Sequence, residues 1–322
     1  MPIRRATIKS LAKINLDLRV LHQRPDGFHE LRTVFQTISL ADTIDIEYEP
    51  ARRTNISIDD PLAIPGNLVI KAAQAVLDAL KIHARVHFRL RKKIPMGGGL
   101  GGGSSNAASV LLALPVLAGR PLAVDQIAAG LGSDVPFFLT GGTAVGIGRG
   151  TEVYEIPDLK PEPILLVLPG LHVATGPAYK ALARGLTAND SSSRINEFQA
   201  FVRVLSSGRS ARAASPFSAN DFEAVVFREF PQLQTIGRKL SKLGAGVRMT
   251  GSGSTMFGVF GSRTERDRAE AVLKRDRVFG KYLVMPGTLV TRGSYQRLWR
   301  KQLGQHMGAD QSLWPPHSRY AK

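Results

Sequence analysis

The chain has 322 residues, 43% of them hydrophobic and 21% charged, a composition that fits a folded protein of about two domains and not a disordered one. It contains no cysteine, which excludes disulfides, thiolate nucleophiles, Cys-ligated zinc and iron–sulfur clusters. Its 43 Lys and Arg against 26 Asp and Glu leave a net charge of +17; such a field favours nucleic acid, an anionic membrane or phosphorylated small molecules, without choosing among them.

The basic N-terminus lacks the apolar core of a signal peptide. The longest aliphatic run, Ile164–Leu168, is far short of the ~20 residues of a membrane span. A cytoplasmic protein with no membrane partner is therefore expected. No period of roughly 20–50 residues repeats, which excludes solenoids and propellers.

In chain order, Ala12–Leu21 alternates Ile14, Leu16, Leu18 and Val20 with Lys13, Asn15, Asp17 and Arg19, the period of a half-buried strand. Lys13 and Asn15 then share a face, roughly 7 Å apart. Arg24-Pro-Asp-Gly-Phe28 predicts a turn, because Pro25 presets φ and Gly27 tolerates a positive φ. Strands follow at 32–40 and 43–49. Asn67 caps a predicted helix over Leu68–Leu80, and Ala84–Arg91 alternates as a strand. Six of the seven residues Gly97–Gly103 are glycine, which no ordinary helix or strand contains; a helix rich in Ala and Leu is predicted to start at Ser104 or Ser105. A helical stretch spans Val124–Leu131. Five glycines in Gly141–Gly150 and the prolines 157, 161 and 163 place a domain boundary near 155. Beyond it come a buried strand at Ile164–Pro169, several helices between 176 and 243, and a strand–turn–strand over Gly246–Phe260. The last segment, 291–322, is basic and lacks clear periodicity; it is expected to be a peripheral extension.

A glycine loop that opens a helix lets a phosphate approach unpaired backbone N–H groups. Lys92 and Lys93 add charge beside it. A Walker A loop is excluded, since Ser104-Ser105-Asn106 follows the last glycine where Lys-Ser/Thr is needed. A dinucleotide pattern, Gly97-x-Gly99-x-x-Gly102, is present only because the run is so rich in glycine, and its acidic partner could only be Asp125, at a helix start. Residues alone leave other positions open. Lys13 and Asp134 could form a structural ion pair, His29 could be a surface residue, Asn67 a simple cap, Tyr179 a core residue and Gly251-Ser-Gly253 a tight hairpin turn.

Pro95-x(3)-Gly99-Leu100-Gly101-x(2)-Ser104-Ser105 resembles the nucleotide-binding motif of the GHMP kinase superfamily (galactose, homoserine, mevalonate and phosphomevalonate kinases). Ala12-Lys-Ile-Asn-Leu16, Arg24-Pro-Asp-Gly-Phe-His29, the loop with its Ser-Ser-Asn-Ala-Ala108, and Gly132-Ser-Asp-Val-Pro-Phe-Phe-Leu139 occur in the order found in one of its families, the 4-diphosphocytidyl-2-C-methyl-D-erythritol kinases of non-mevalonate isoprenoid biosynthesis. The likeness runs over about 15–260 and does not extend to the tail.

The resemblance implies an α+β, two-domain GHMP kinase fold. Residues 1–155 form a ribosomal-protein-S5-domain-2-like part that binds ATP, 156–290 a ferredoxin-like part, and 291–322 a basic extension. It implies ATP on Pro95, Met96, Gly97, Gly98, Gly99, Leu100, Gly101, Gly102, Gly103, Ser104 and Ser105, with Asn67 and Lys92 near the adenine. Asp134 is the implied base and Lys13 its charge partner. Asn15, Phe28, His29, Thr175 and Tyr179 are the implied contacts for a substrate with a cytidine diphosphate moiety. Mg2+ is expected with ATP, and Ser105 is a candidate ligand. The protein would be a monomer or homodimer. Competing classes are another small-molecule GHMP kinase, an RNA-binding protein and a nicotinamide dehydrogenase.

Overall fold

The computed structural model describes residues 2–183, 188–308, 310 and 313–321. Its first half runs β1 (Arg4–Gln23), β2 (His29–Pro50), β3 (Asn55–Asp59), α1 (Leu68–Leu80), β4 (Ala84–Arg91), α2 (Gly102–Ala118), α3 (Asp125–Leu131), α4 (Phe137–Thr140), β5 (Thr143–Ile147) and β6 (Glu152–Glu155). The second half runs β7 (Pro163–Leu168), α5 (Thr175–Ala183), α6 (Ala188–Ser206), α7 (Ala211–Ala214), α8 (Phe222–Glu229), α9 (Pro231–Lys242), β8 (Gly246–Met249), β9 (Met256–Val259), α10 (Arg263–Arg275), β10 (Leu283–Thr288) and α11 (Arg292–Leu303).

Two sheets result. In the first the order is β3-β4-β2-β5-β6, with β1 paired along β2. Instead of the two strands expected at 32–40 and 43–49, β2 is one strand with two successive partners. Thr33–Gln36 pair with β5 and Thr43–Pro50 with β4, so a single strand serves both halves of the sheet. The second sheet has the order β10-β7-β9-β8, all antiparallel, which is the ferredoxin-like arrangement of a βαββαβ unit.

β1 is not half-buried as its alternation suggests. Every residue from Ser10 to Leu21 is buried. Ala12, Ile14 and Leu16 pack with Ile164 and Leu166 of β7, so the second sheet covers that face. The opposite face carries Lys13, Asn15, Asp17 and Arg19, all buried and all paired. β7 is likewise buried on both faces: Leu165 and Val167 join the core formed with α9 and α10, whereas Ile164 and Leu166 face β1. That two-sided burial accounts for its unbroken apolar sequence.

α1 begins where predicted, with the Asn67 side chain accepting from the Val69 N–H at 3.0 Å. α2 begins at Gly102, two or three residues earlier than predicted, because the helix takes up glycines that need no special φ. From Ser105 to Leu117 every residue of α2 is buried, as expected for a helix that is apolar all round. The tail corrects its expectation. Tyr295, Trp299 and Leu303 of α11 and Met307 belong to the same core as α1 and α2, and Trp299 is fully buried. Its apolar residues recur every four positions, a helical period obscured by intervening Arg, Lys and Gln.

Candidate active site

The segment from Pro95 to Gly103 lines a cleft of about 350 Å³ together with Asn67, Lys92, Ser104 and Asn106. Gly99 and Gly101 have φ of +74° and +68°, which side chains with a Cβ adopt at a cost. Each is also walled in. A Cβ on Gly99 would lie 2.2 Å from the Thr250 carbonyl oxygen, and one on Gly101 3.0 Å from both Lys13 Cγ and Phe138 Cζ.

α2 has no capping side chain and no acidic residue in its first turn. The first intrahelical bond runs from the Ser105 N–H to the Gly101 carbonyl (2.8 Å), so the N–H groups of Gly102, Gly103 and Ser104 have no intrahelical acceptor. α10, by contrast, is capped by Ser262 and carries Glu265 in its first turn. The open end of α2 carries about half a positive charge, which suits the phosphates of a nucleotide.

Lys13 lies directly behind this loop. Its backbone N–H donates to the Leu100 carbonyl (3.1 Å), and its Nζ sits 3.1 Å from Asp134 Oδ2 and 2.7 Å from Asn15 Oδ1. The Lys13 side chain is 3% exposed and that of Asp134 31%, so a nearly dry ammonium holds a carboxylate that still reaches solvent. Burying that ammonium unpaired would be costly.

Asn15 shares the face of Lys13, as its spacing predicts, and hydrogen-bonds it. Its Nδ2 donates to Thr33 Oγ1, and its Oδ1 accepts from Lys13, from the Gly251 N–H (3.0 Å) and from the Thr250 hydroxyl (3.3 Å). It joins Lys13 to the turn at 250–254, which touches the glycine loop through Thr250 Oγ1 and the Gly99 carbonyl (3.2 Å).

His29 and Tyr179 stack, with ring centroids 4.8 Å apart and planes 25° apart, and Tyr179 meets Phe222 edge-on. Burial lowers the His29 pKa, which favours the neutral imidazole, and its Nε2 is buried without a partner. Burial, with a smaller contribution from the Asp134 charge, pushes the Tyr179 phenol up to about 12. Phe28 is half-exposed, with the Arg149 guanidinium 4.6 Å above its ring. The Thr175 hydroxyl lies 3.0 Å from that of Ser252.

Two expected ligands are otherwise engaged. Ser105 Oγ donates to the Leu11 carbonyl (2.6 Å) and meets Ser10 Oγ at 2.7 Å, and Ser105 is 1% exposed. As the fourth residue of α2 it faces β1, so it is not a metal ligand here. Lys92 is paired with the fully buried Asp42, which also accepts the N–H groups of Lys93 (2.7 Å) and Ile94 (2.8 Å), so the charge of Lys92 is largely compensated at the cleft. Sequence reasoning missed Asp42, Arg149 and Asn106. Asn106 lies inside the quoted loop motif, and its buried Oδ1 has no hydrogen-bond partner. Among the described residues no cluster of three His, Asp or Glu could hold a metal, and no helix is long and apolar enough to cross a membrane.

The glycine loop opening α2, the Lys13–Asp134 pair and the ferredoxin-like second sheet belong to a GHMP kinase fold. Residues 67–142 match the family described as GHMP kinases N terminal domain, and 199–277 that described as GHMP kinases C terminal. The chain is 49% identical over 325 residues to the 4-diphosphocytidyl-2-C-methyl-D-erythritol kinase of Solibacter usitatus, covering 98% of both proteins. It is 38% identical over 259 residues to that of Pelotomaculum thermopropionicum, covering 79% of this chain and 88% of the relative. A crystal structure of 4-(cytidine 5'-diphospho)-2C-methyl-D-erythritol kinase superposes with a TM-score of 0.70 at 36% identity, over 88% of this chain and 98% of the other. The chain belongs to the 4-diphosphocytidyl-2-C-methyl-D-erythritol kinase family, whose members are ATP-dependent small-molecule kinases.

Proposed function

We propose that the protein transfers the γ-phosphoryl group of ATP to the 2-hydroxyl of 4-diphosphocytidyl-2-C-methyl-D-erythritol, in non-mevalonate isoprenoid biosynthesis. The observation that carries this reading is that Lys13, whose N–H meets the Leu100 carbonyl of the glycine loop, holds Asp134 at 3.1 Å; the uncapped start of α2 and the His29–Tyr179 ring stack support it. Residues 1–155 hold the nucleotide and 156–290 close the second substrate against it.

Phosphoryl transfer needs positioning and charge neutralisation more than covalent chemistry. The backbone N–H groups of Gly102, Gly103 and Ser104 take the phosphates. Asp134 accepts the proton of the substrate hydroxyl as that oxygen bonds to the γ-phosphorus. The bond from the γ-phosphorus to the β–γ bridging oxygen breaks, and ADP leaves. Lys13, 3.1 Å from Asp134 Oδ2, holds that carboxylate in place and faces the charge that develops on the transferred group. Asn15 holds Lys13 in place. The neutral His29 ring, Tyr179, Phe28 and Thr175 take the cytidine end, where a flat base meets flat rings.

Mg2+ bound with the nucleotide would supply charge neutralisation to its phosphates. Such a cation keeps several waters and needs only one or two protein oxygens, and the unpartnered Asn106 Oδ1 and the Ser104 hydroxyl, both on residues that line the cleft, would hold it. The test is incubation with ATP, Mg2+ and 4-diphosphocytidyl-methylerythritol, followed by phosphorus NMR. The expected result is a new phosphomonoester resonance with equimolar ADP, suppressed by CMP. Turnover of mevalonate or homoserine in its place would refute the substrate assignment.

A further inference from the structure

α4 begins three residues after Asp134 and is a single turn of four residues, too short to be stable by itself. Its last carbonyls lack intrahelical donors. Two of them are satisfied from the far end of the chain. The Tyr295 hydroxyl, on α11, donates to the Phe138 carbonyl at 2.5 Å, and the Trp314 indole N–H donates to the Leu139 carbonyl at 2.9 Å. The Tyr295 ring also closes over the end of α4: a Cβ on Gly141 would come within 2.5 Å of it. Tyr295, Trp299 and Trp314 meet edge-on, with centroids 6.2 to 6.5 Å apart. Burial raises the Tyr295 pKa, so the hydroxyl stays a donor.

The other side of α4 faces the chemistry. The Phe138 ring and Lys13 Cγ both stand 3.0 Å from where a Gly101 Cβ would be. The residue whose carbonyl takes the Tyr295 hydroxyl is thus the one whose ring stands with Lys13 against Gly101 of the phosphate loop.

We propose that the C-terminal segment positions the reacting pair: Tyr295 and Trp314, by their hydrogen bonds to the carbonyls of Phe138 and Leu139, fix α4 and thereby set Asp134 against Lys13 and the loop. Tyr295 and Trp314 are positioning residues, and their role rests on the reading of Asp134 as the base. A displacement of about 1 Å at such a group costs ~10²-fold in rate, so a partial loosening gives a smaller but measurable loss.

The experiment compares Tyr295→Phe and Trp314→Phe, which delete one donor each and keep the ring, with Leu303→Val, which loosens the same core without touching α4. The expected result is a kcat lowered by roughly 5- to 20-fold in each donor variant, with KM for ATP within about twofold. Leu303→Val, assayed where its fall in Tm matches theirs, should keep kcat within about twofold. Adding Tyr295→Phe to Asp134→Asn should leave the residual rate unchanged, because the two act on one step. Folded donor variants with normal kcat, an equal loss in Leu303→Val, or an undiminished Tyr295 effect in the Asp134→Asn background would each overturn the proposal. Full turnover by Asp134→Asn alone would overturn the catalytic reading itself, in a measurement that does not involve the tail.

Discussion

Gly99→Ala tests whether the turn at 250–254 clamps the phosphate loop. The added methyl would sit 2.2 Å from the Thr250 carbonyl oxygen and 2.9 Å from its carbon, where ordinary contact begins at 3.4 Å. Both obstacles are backbone atoms and cannot swing aside, so loop and turn must part by about 1.2 Å. The parting breaks the bond from the Thr250 hydroxyl to the Gly99 carbonyl. A non-glycine residue at φ +74° costs ~1–2 kcal/mol, and the lost hydrogen bond costs ~1 kcal/mol. Together they predict a destabilisation of about 2–3 kcal/mol, seen as a Tm lower by roughly 4–12 °C. Displacing the cradle by that distance predicts a kcat/KM for ATP lower by ~10²-fold. The assay is ADP release under varied ATP, with calorimetry on the same samples. Gly130→Ala is the internal control: nothing lies within 4 Å of its added Cβ, and a helical Gly→Ala change gains up to ~1 kcal/mol. A Gly99→Ala enzyme with wild-type Tm and ATP kinetics would show that the turn does not set the loop.

Asp134→Asn should lower kcat by ~10²–10⁴-fold while ATP still binds. Lys13→Met, which keeps the buried stem of the side chain, should act on the same step; strict additivity in the double variant would show that the two are not one unit. Asp17 predicts a pH effect on stability. Burial pushes its carboxyl from 3.8 to about 6, outweighing the Arg19 charge and the Ala219 N–H. The folded state therefore holds this proton more tightly than the unfolded chain. The resulting stabilisation is complete below 3.8 and is lost as pH rises through about 6. Measured against Asp17→Asn, the unfolding free energy should rise by about 1 kcal/mol from pH 7 to pH 5, and a pH-independent difference between the two would contradict the burial argument.

Much of the site could be read from the chain because its signals are local. Asn67 and the helix it caps, the Arg24–His29 turn, and the glycine loop opening α2 each follow from neighbouring residues, since caps, turns and close-approach glycines depend on backbone geometry over a few positions. Lys13 and Asn15 share a face for the same reason. The alternation of β1 could not reveal its second buried face, because that depends on β7 arriving from about 150 residues away. Nor could it show that Ser105 turns inward onto Ser10 and Leu11, or that Lys92 is held by Asp42. The tail was hardest to read, as three aromatic anchors spaced among Arg and Lys have no meaning until a surface exists to receive them. Sequence alone determined the local devices: the cap, the turn, and the glycine loop that opens α2. Only the tertiary structure decided which side chains surround them, because burial and ion pairing are properties of elements brought together after each has formed.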